Sequence, residues 1–258
     1  MPDARPELNA RQQDLIERVR REGFASVDEL ARAFDVTPQT VRRDINQLAE
    51  LGLLRRQHGG ASLPTGSQNL AYDDRRELLA DEKRRIARAA ARHIPDNASL
   101  FINLGTTTEE VARALSGHRG LRVITNNLNV ATLMAGYEEC EVIVAGGVVR
   151  ARDLGVIGGL AIDFIRQFKV DFAVIGTSSI EADGTLRDFD ARETRVAEAI
   201  IEGARAVFLV ADHSKFDRPA LVRGGHLSQV NILFTDAAPP ESWSGMLARA
   251  GTQVVVAD

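Results

Sequence analysis

The segment from Ser26 to Leu51, SVDELARAFDVTPQTVRRDINQLAEL, admits few folds. Ser26 and Glu29 stand at the head of an apolar-periodic stretch with the spacing of a capping box. In such a box, side-chain oxygen and carboxylate each satisfy a backbone N–H of the other residue. Val27, Leu30, Ala31 and Phe34 then share one helical face. Asp35-Val36 makes a tight turn, and Thr37-Pro38 starts another helix with a threonine N-cap and proline in the first position. Val41, Ile45, Leu48 and Leu51 form one apolar stripe along it. With an earlier helix through Leu15, Ile16 and Val19, ending at Gly23, this predicts a helix-turn-helix at about 25–44.

The polar face of the third helix carries Gln39, Arg43 and Asn46, with Arg42 and Gln47 at its margins. Arginine pairs bidentately with guanine, and Gln or Asn with adenine. Thr37 and Thr40, near the helix start, suit phosphate contacts. Asp44 reads as a capping or orienting charge. After Gly52, LLRRQHGGA alternates loosely around a Gly-Gly turn and predicts a small β-wing. Its Arg55 and Arg56 reach toward a phosphate backbone, and His58 is a wing residue or a contact. The chain's net charge of −4 does not advertise nucleic acid. Position matters more, because Arg42, Arg43, Arg55 and Arg56 face only Asp44 and Glu50 between Gln39 and Gly60. Residues 1–62 are therefore expected to be a winged helix-turn-helix DNA-binding domain.

Residues 63–80, with Pro, Gly, Ser and a DDRRE run, read as a linker. From 81 to 258, short apolar runs alternate with helical patterns. Strands are expected at 100–103, 122–125, 141–145, 171–175, 206–210, 232–234 and 253–256. Helices are expected near 81–93, 107–116, 127–136, 159–168, 190–203 and 241–250. That alternation predicts an α/β open sheet, mostly parallel, with ligands at the carboxyl ends of its strands. Leu104-Gly105-Thr106-Thr107-Thr108 follows a strand and opens a helix. Its backbone N–H groups and hydroxyls suit a phosphate, or Thr caps a crossover helix. Asn126 and Asn127 end the next strand and either bind a hydroxyl or cap a helix. Lys215 stands out because the chain has only three lysines, with Lys83 and Lys169, against 29 arginines. It neutralises a phosphate or pairs with Asp212. Arg152, Asp153, Asp188, Arg192 and Glu193 lie in polar segments that close over a ligand or face solvent. Trp243 is expected to pack, and the single cysteine, Cys140, to be a buried small apolar residue.

Neither GxGxxG nor GxxxxGK[ST] occurs, and the five histidines lack metal-ligand spacing. No metal and no nucleotide cofactor is expected. The first residues do not read as a signal peptide and no apolar run is long enough to span a membrane, so a cytoplasmic protein is expected.

The stretches SVDELARAFDVTPQTVRRDINQLAELGLLRRQHGGASLP, EKRRIARAA, LGTTTEEVA, VITNNLNVA, AGGVVR, VDFAVIG and VADHSKF run in order over nearly the whole chain. Together they resemble the DeoR family of bacterial regulators. The resemblance implies a homo-oligomeric repressor, dimer or tetramer, that leaves operator DNA when a sugar or polyol phosphate binds. It implies a sensor domain like ribose-5-phosphate isomerase and CoA-transferases, and places the phosphate at Gly105, Thr106, Thr107 and Thr108. ITNNLNVA, RQFKVDF and DHSKF with TDAAPP are most similar to members answering to glycerol-3-phosphate. A hexose or pentose phosphate is the alternative effector, and isomerase chemistry a weaker alternative. Against chemistry stands Asn103, where the family usually has aspartate, since an amide is no general base. Asp183, Asp188 and Glu193 are the remaining candidate bases.

Overall fold

Helix capping and one apolar stripe per helix build the first unit of the computed structural model, which describes residues 8–22, 24–51, 53–57, 59–62 and 72–258. The chain divides into two units, Met1–Gly66 and Ser67–Asp258. The first contains α1 (Ala10–Glu22), β1 (Phe24–Ser26), α2 (Val27–Ala33), α3 (Pro38–Glu50), β2 (Arg55–Gln57) and β3 (Gly60–Ser62). The capping box forms: Glu29 N–H donates to Ser26 Oγ at 3.2 Å and Ser26 N–H to Glu29 Oε2 at 3.1 Å. Thr37 caps α3 by accepting from Thr40 N–H. Leu15, Val19, Leu30, Val41, Ile45 and Leu48 are fully buried, whereas Leu51, the expected last member of the stripe, is exposed where α3 has ended. Buried Asp44 orients α1 on α3, accepting from Arg11 Nε at 2.7 Å and Gln12 Nε2 at 3.4 Å. Strands β2 and β3 pair antiparallel as the wing, and β3 also pairs with β1.

The second unit opens with α4 (Tyr72–Glu77), α5 (Ala80–Ala91), β4 (Ser99–Ile102), α6 (Thr106–Ala114), β5 (Arg122–Thr125), α7 (Leu128–Met134) and β6 (Glu141–Val144). A hairpin follows, β7 (Val148–Arg150) and β8 (Gly155–Ile157), then α8 (Gly159–Ile165) and β9 (Val170–Ile175). Next come β10 (Ser179–Ile180), β11 (Thr185–Asp188), α9 (Ala191–Glu202), β12 (Ala204–Val210) and β13 (Val222–His226). The unit closes with β14 (Ile232–Thr235), α10 (Ser244–Ala250) and β15 (Gln253–Val256). Seven parallel strands form the main sheet in the order β15-β14-β12-β9-β4-β5-β6. From β4 the chain winds one way through β5 and β6; from β9 it winds the other way through β12, β14 and β15. The winding direction reverses between β4 and β9, and such a switch point opens a crevice at the carboxyl ends of its two strands.

The expected strands are all present, but three expectations are corrected. Residues 72–77, assigned to the linker, form helix α4, because Tyr72 and Arg75 bond to groups on α6 and α5. Residues 63–71, the rest of that linker, lie outside the described residues. Cys140 is partly rather than fully buried, at the rim of one of the two cores flanking the sheet. Two small antiparallel sheets, β7-β8 and β10-β11-β13, were not anticipated. Trp243 packs as expected, edge-on to Phe216 at 5.2 Å. Among the described residues no helix is long and apolar enough to cross a membrane.

Candidate nucleic-acid interface and anion site

Burial of Val41, Ile45 and Leu48 turns the other face of α3 outward. Gln39, Arg42, Arg43 and Asn46 are exposed along it, Thr37 is exposed at its start and Thr40 is half-exposed. The Thr37 and Thr40 hydroxyls lie 2.9 Å apart, so the cap holds both at the helix N-terminus. Arg56 is exposed on β2, which also carries Arg55. His58 lies outside the described residues. The face is thus a row of base-reading side chains on a helix stiffened at its N-terminus.

In the second unit, Gly105 turns the chain from β4 into α6 with φ of 146°, a conformation that side chains resist, and a Cβ there would meet Thr108 Oγ1 at 3.2 Å. No side chain caps α6. The three threonines do not offer three hydroxyls to one ligand, as the sequence suggested. Thr108 Oγ1 donates to the carbonyls of Asn103 (2.8 Å) and Gly105 (2.7 Å), and Thr106 Oγ1 to that of Arg75 (3.3 Å). What remains is the buried Thr107 and the backbone N–H groups of the first turn. Asn127 is a cap, accepting from Asn129 and Val130 N–H, with its amide donating to Glu109. Asn126 holds β8 through the Val156 carbonyl, at 3.2 Å, and its Oδ1 is buried without a hydrogen-bond partner.

Lys215 belongs to a larger cluster. It lies 3.8 Å from the fully buried Asp212. The turn presenting it is anchored by His213, whose N–H and ring donate to Asp236 at 2.8 and 2.6 Å. Buried Lys83 on α5 donates through Nζ to the Arg75 carbonyl. Burial pulls the Lys83 ammonium down to about 8; Asp212 opposes the fall, and the charges of Lys215 and Arg75 add to it. Burial likewise lowers Lys215, against Asp212 and with Arg218 and Arg75. Burial lowers Arg218 too, with Arg75 adding and Asp212 and Asp188 opposing. Arg75, Lys83, Lys215 and Arg218 therefore repel one another inside the protein, and a dianion among them relieves that repulsion. Arg75, Lys83 and Arg218 had not been picked out from the sequence. The scarcity of lysine that singled out Lys215 applied equally to Lys83, whereas exposed Lys169 only braces the Glu202 and Ala204 carbonyls.

Carboxylates line the other side. Arg150 grips Asp153 bidentately at 2.8 and 2.7 Å, Asp190 at 2.9 Å and Glu193 at 2.6 Å. Arg75 reaches Asp153 at 3.7 Å. Arg152 and Arg192 are exposed and contact only the rim of this network, through Asp153 and Asp190. Tyr72, also on α4, donates to Glu109 at 2.6 Å, so α4 is fastened to the site at both Tyr72 and Arg75.

Two family descriptions match the chain: a DeoR-like helix-turn-helix domain over residues 11–66 and a DeoR C-terminal sensor domain over residues 79–237. The chain is 50% identical over 232 residues to the glycerol-3-phosphate regulon repressor of Escherichia coli K12, covering 90% of this chain and 92% of that protein. It is 41% identical over 248 residues to the HTH-type transcriptional repressor CsqR of the same strain, covering 96% and 95%. A solved structure of ribose 5-phosphate isomerase A from Methanocaldococcus jannaschii is 16% identical with a TM-score of 0.40, over 54% of this chain and 55% of that one.

Proposed function

The chain belongs to the DeoR family and is a DNA-binding transcriptional repressor; we propose that the signal it answers is glycerol-3-phosphate, which lowers its affinity for operator DNA. The observation that carries this reading is the convergence of Arg75, Lys83, Lys215 and Arg218 beside the N-terminus of α6 and the sheet's switch point. The phosphate sits against these cations and the N–H groups that follow Gly105, with Thr106 and Thr107 at its edge. The α3 face reads bases through Gln39, Arg42, Arg43 and Asn46, while Thr37, Thr40, Arg55 and Arg56 hold phosphates. Self-association sets two such helices about one DNA turn, ~34 Å, apart.

Signal passes through α4, the first helix after residues 63–71. A phosphate drawn to Arg75 competes with Asp153 for its guanidinium and so acts on the seat of α4. A coupling of about 1–3 kcal/mol weakens DNA binding roughly 5- to 150-fold. In this reading the process is binding and release without chemistry, and the resemblance supports it: Asn103 is an amide, no general base, where the family usually has aspartate.

Calorimetry on the whole chain tests the effector site. Glycerol-3-phosphate binds at pH 7 and glycerol does not. Between pH 7 and pH 9 Lys83 loses its proton while the ester stays dianionic, so affinity falls about tenfold as pH rises. Equal affinity at both pH values removes Lys83 from the site, and equal binding of glycerol removes the phosphate as the recognised group.

A further inference from the structure

The switch point holds a second, uncharged-ligand feature beside the cations. A cavity of about 20 Å3, room for one water- or hydroxyl-sized group, is lined by Asn103, Gly176, Thr177, Asp188, Glu193 and Thr194 among others. Asn103 follows β4, and Gly176 and Thr177 follow β9, so the cavity lies in the crevice between the two strands. Asn103 is 2% exposed, yet its side-chain Oδ1 has no hydrogen-bond partner. A buried acceptor without a donor is uncommon in folded proteins and marks a place where a polar group belongs.

The neighbouring carboxylates are each held by one oxygen. Asp188 Oδ1 accepts from the Ser178 hydroxyl at 3.0 Å and from Phe189 N–H at 2.7 Å. Glu193 Oε2 accepts from Arg150 at 2.6 Å. The second oxygen of each enters none of these bonds. Arg187 also lines the cavity, and the Thr177 and Thr194 hydroxyls there already donate to the Ser179, Arg187 and Ala191 carbonyls, so the group left without a donor is the Asn103 oxygen, with the two carboxylates beside it. A bare alkyl group leaves the Asn103 oxygen unpaired, whereas an alcohol O–H supplies the donor it lacks and can be shared with the Asp188 or Glu193 carboxylate.

We propose that Asn103, Asp188 and Glu193 form a hydroxyl-reading subsite that recognises the polyol end of a short phosphate ester. It rests on the reading of the cationic cluster as the phosphate site. Asp188 joins the two, because its charge acts on both Lys215 and Arg218 as well as on Glu193. Burial, and then Asp188, push the Glu193 carboxyl up to about 7, which fits a crowded pair that a donor would relieve. The small volume sets the specificity: one hydroxyl enters, on a ligand whose phosphate is only a few bonds away.

Calorimetry on the full chain with glycerol-3-phosphate and n-propyl phosphate tests this directly. The two esters share the phosphate and three-carbon length and differ in hydroxyls. Glycerol-3-phosphate is expected to bind at least tenfold more tightly. Asp188→Asn keeps an oxygen for Ser178 and Phe189 but places a donor where the second acceptor stood, and Asn103→Leu removes the unpaired oxygen at similar size. In both variants the ratio between the two esters falls toward one. Equal affinities in the unaltered chain, or an undiminished ratio in both variants while propyl phosphate still binds, overturn the subsite and leave the phosphate site standing. Failure of both esters to bind the unaltered chain overturns the two readings together.

Discussion

Replacing Lys215 by Met abolishes release of operator DNA by glycerol-3-phosphate and leaves DNA affinity without effector within about twofold. The ammonium is largely buried 3.8 Å from Asp212, so its charge is poorly screened and counts fully toward a bound anion. Losing such a charge from a desolvated site costs about 2–5 kcal/mol of ligand affinity, roughly 30-fold or more. Met keeps most of the side chain's volume. The variant also strands Asp212. Burial pushes that carboxyl up, and Lys215, the Ser214 hydroxyl and Lys83 together hold it below its ordinary value. With Lys215 gone, the second unit melts at a lower temperature, while α3 keeps its packing in the first unit. Fluorescence anisotropy of labelled operator, with and without effector, reads the result. Normal release by the variant removes Lys215 from the effector site.

Replacing Ile45 by Ala has the opposite signature: operator binding is lost and effector binding stays. Ile45 is 2% exposed in a core whose buried members among the described residues are twelve, six of them alanine or valine besides the leucines and isoleucines. Truncating a buried isoleucine to alanine costs about 2–5 kcal/mol. A module of roughly sixty residues has only a few kcal/mol of stability to lose. The first unit is then largely unfolded at 37 °C, and Gln39, Arg43 and Asn46 no longer share a face. Lys83, Lys215 and Arg218 belong to the other unit, with its own cores. Calorimetric affinity for glycerol-3-phosphate is unchanged, and only one of two melting transitions moves. Retained operator binding contradicts the assignment of α3 as the reading helix.

What the sequence showed and what it hid follow from the range of the interactions involved. Helix starts at Ser26 and Thr37 are local: cap, first turn and apolar stripe are all set by near neighbours, and the structure forms them as read except at Leu51, which is exposed past the end of α3. The seven strands of the main sheet were legible because a parallel sheet flanked by helices needs short continuous apolar runs, which even its part-exposed edge strands β6 and β15 carry. The small antiparallel strands were not, because runs such as Val222-Arg223-Gly224-Gly225-His226 have neither alternation nor an apolar core. Helix α4 was hidden for a different reason. DDRRE reads as a solvated run, and only the fold brings Glu109 to Tyr72 and Asp153 to Arg75. The turn at Gly105 from β4 into α6 was legible, because a turn into a helix is a local event. The hydroxyl partners of Thr106 and Thr108 were not, because the carbonyls that take their hydroxyls come from elsewhere in the loop and from α4. Asn127 had two readings from sequence, and its bonds to Asn129 and Val130 make it a cap.

The central claim is that one chain joins a base-reading helix to a phosphate sensor, so that filling the second weakens the first. The most direct measurement is the affinity of the purified chain for a duplex carrying its operator, at fixed salt, with saturating glycerol-3-phosphate and with glycerol at the same concentration. The predicted result is a loss of at least fivefold with the phosphate and no change with glycerol. Unchanged operator affinity at a concentration where calorimetry shows the phosphate bound would contradict the coupling.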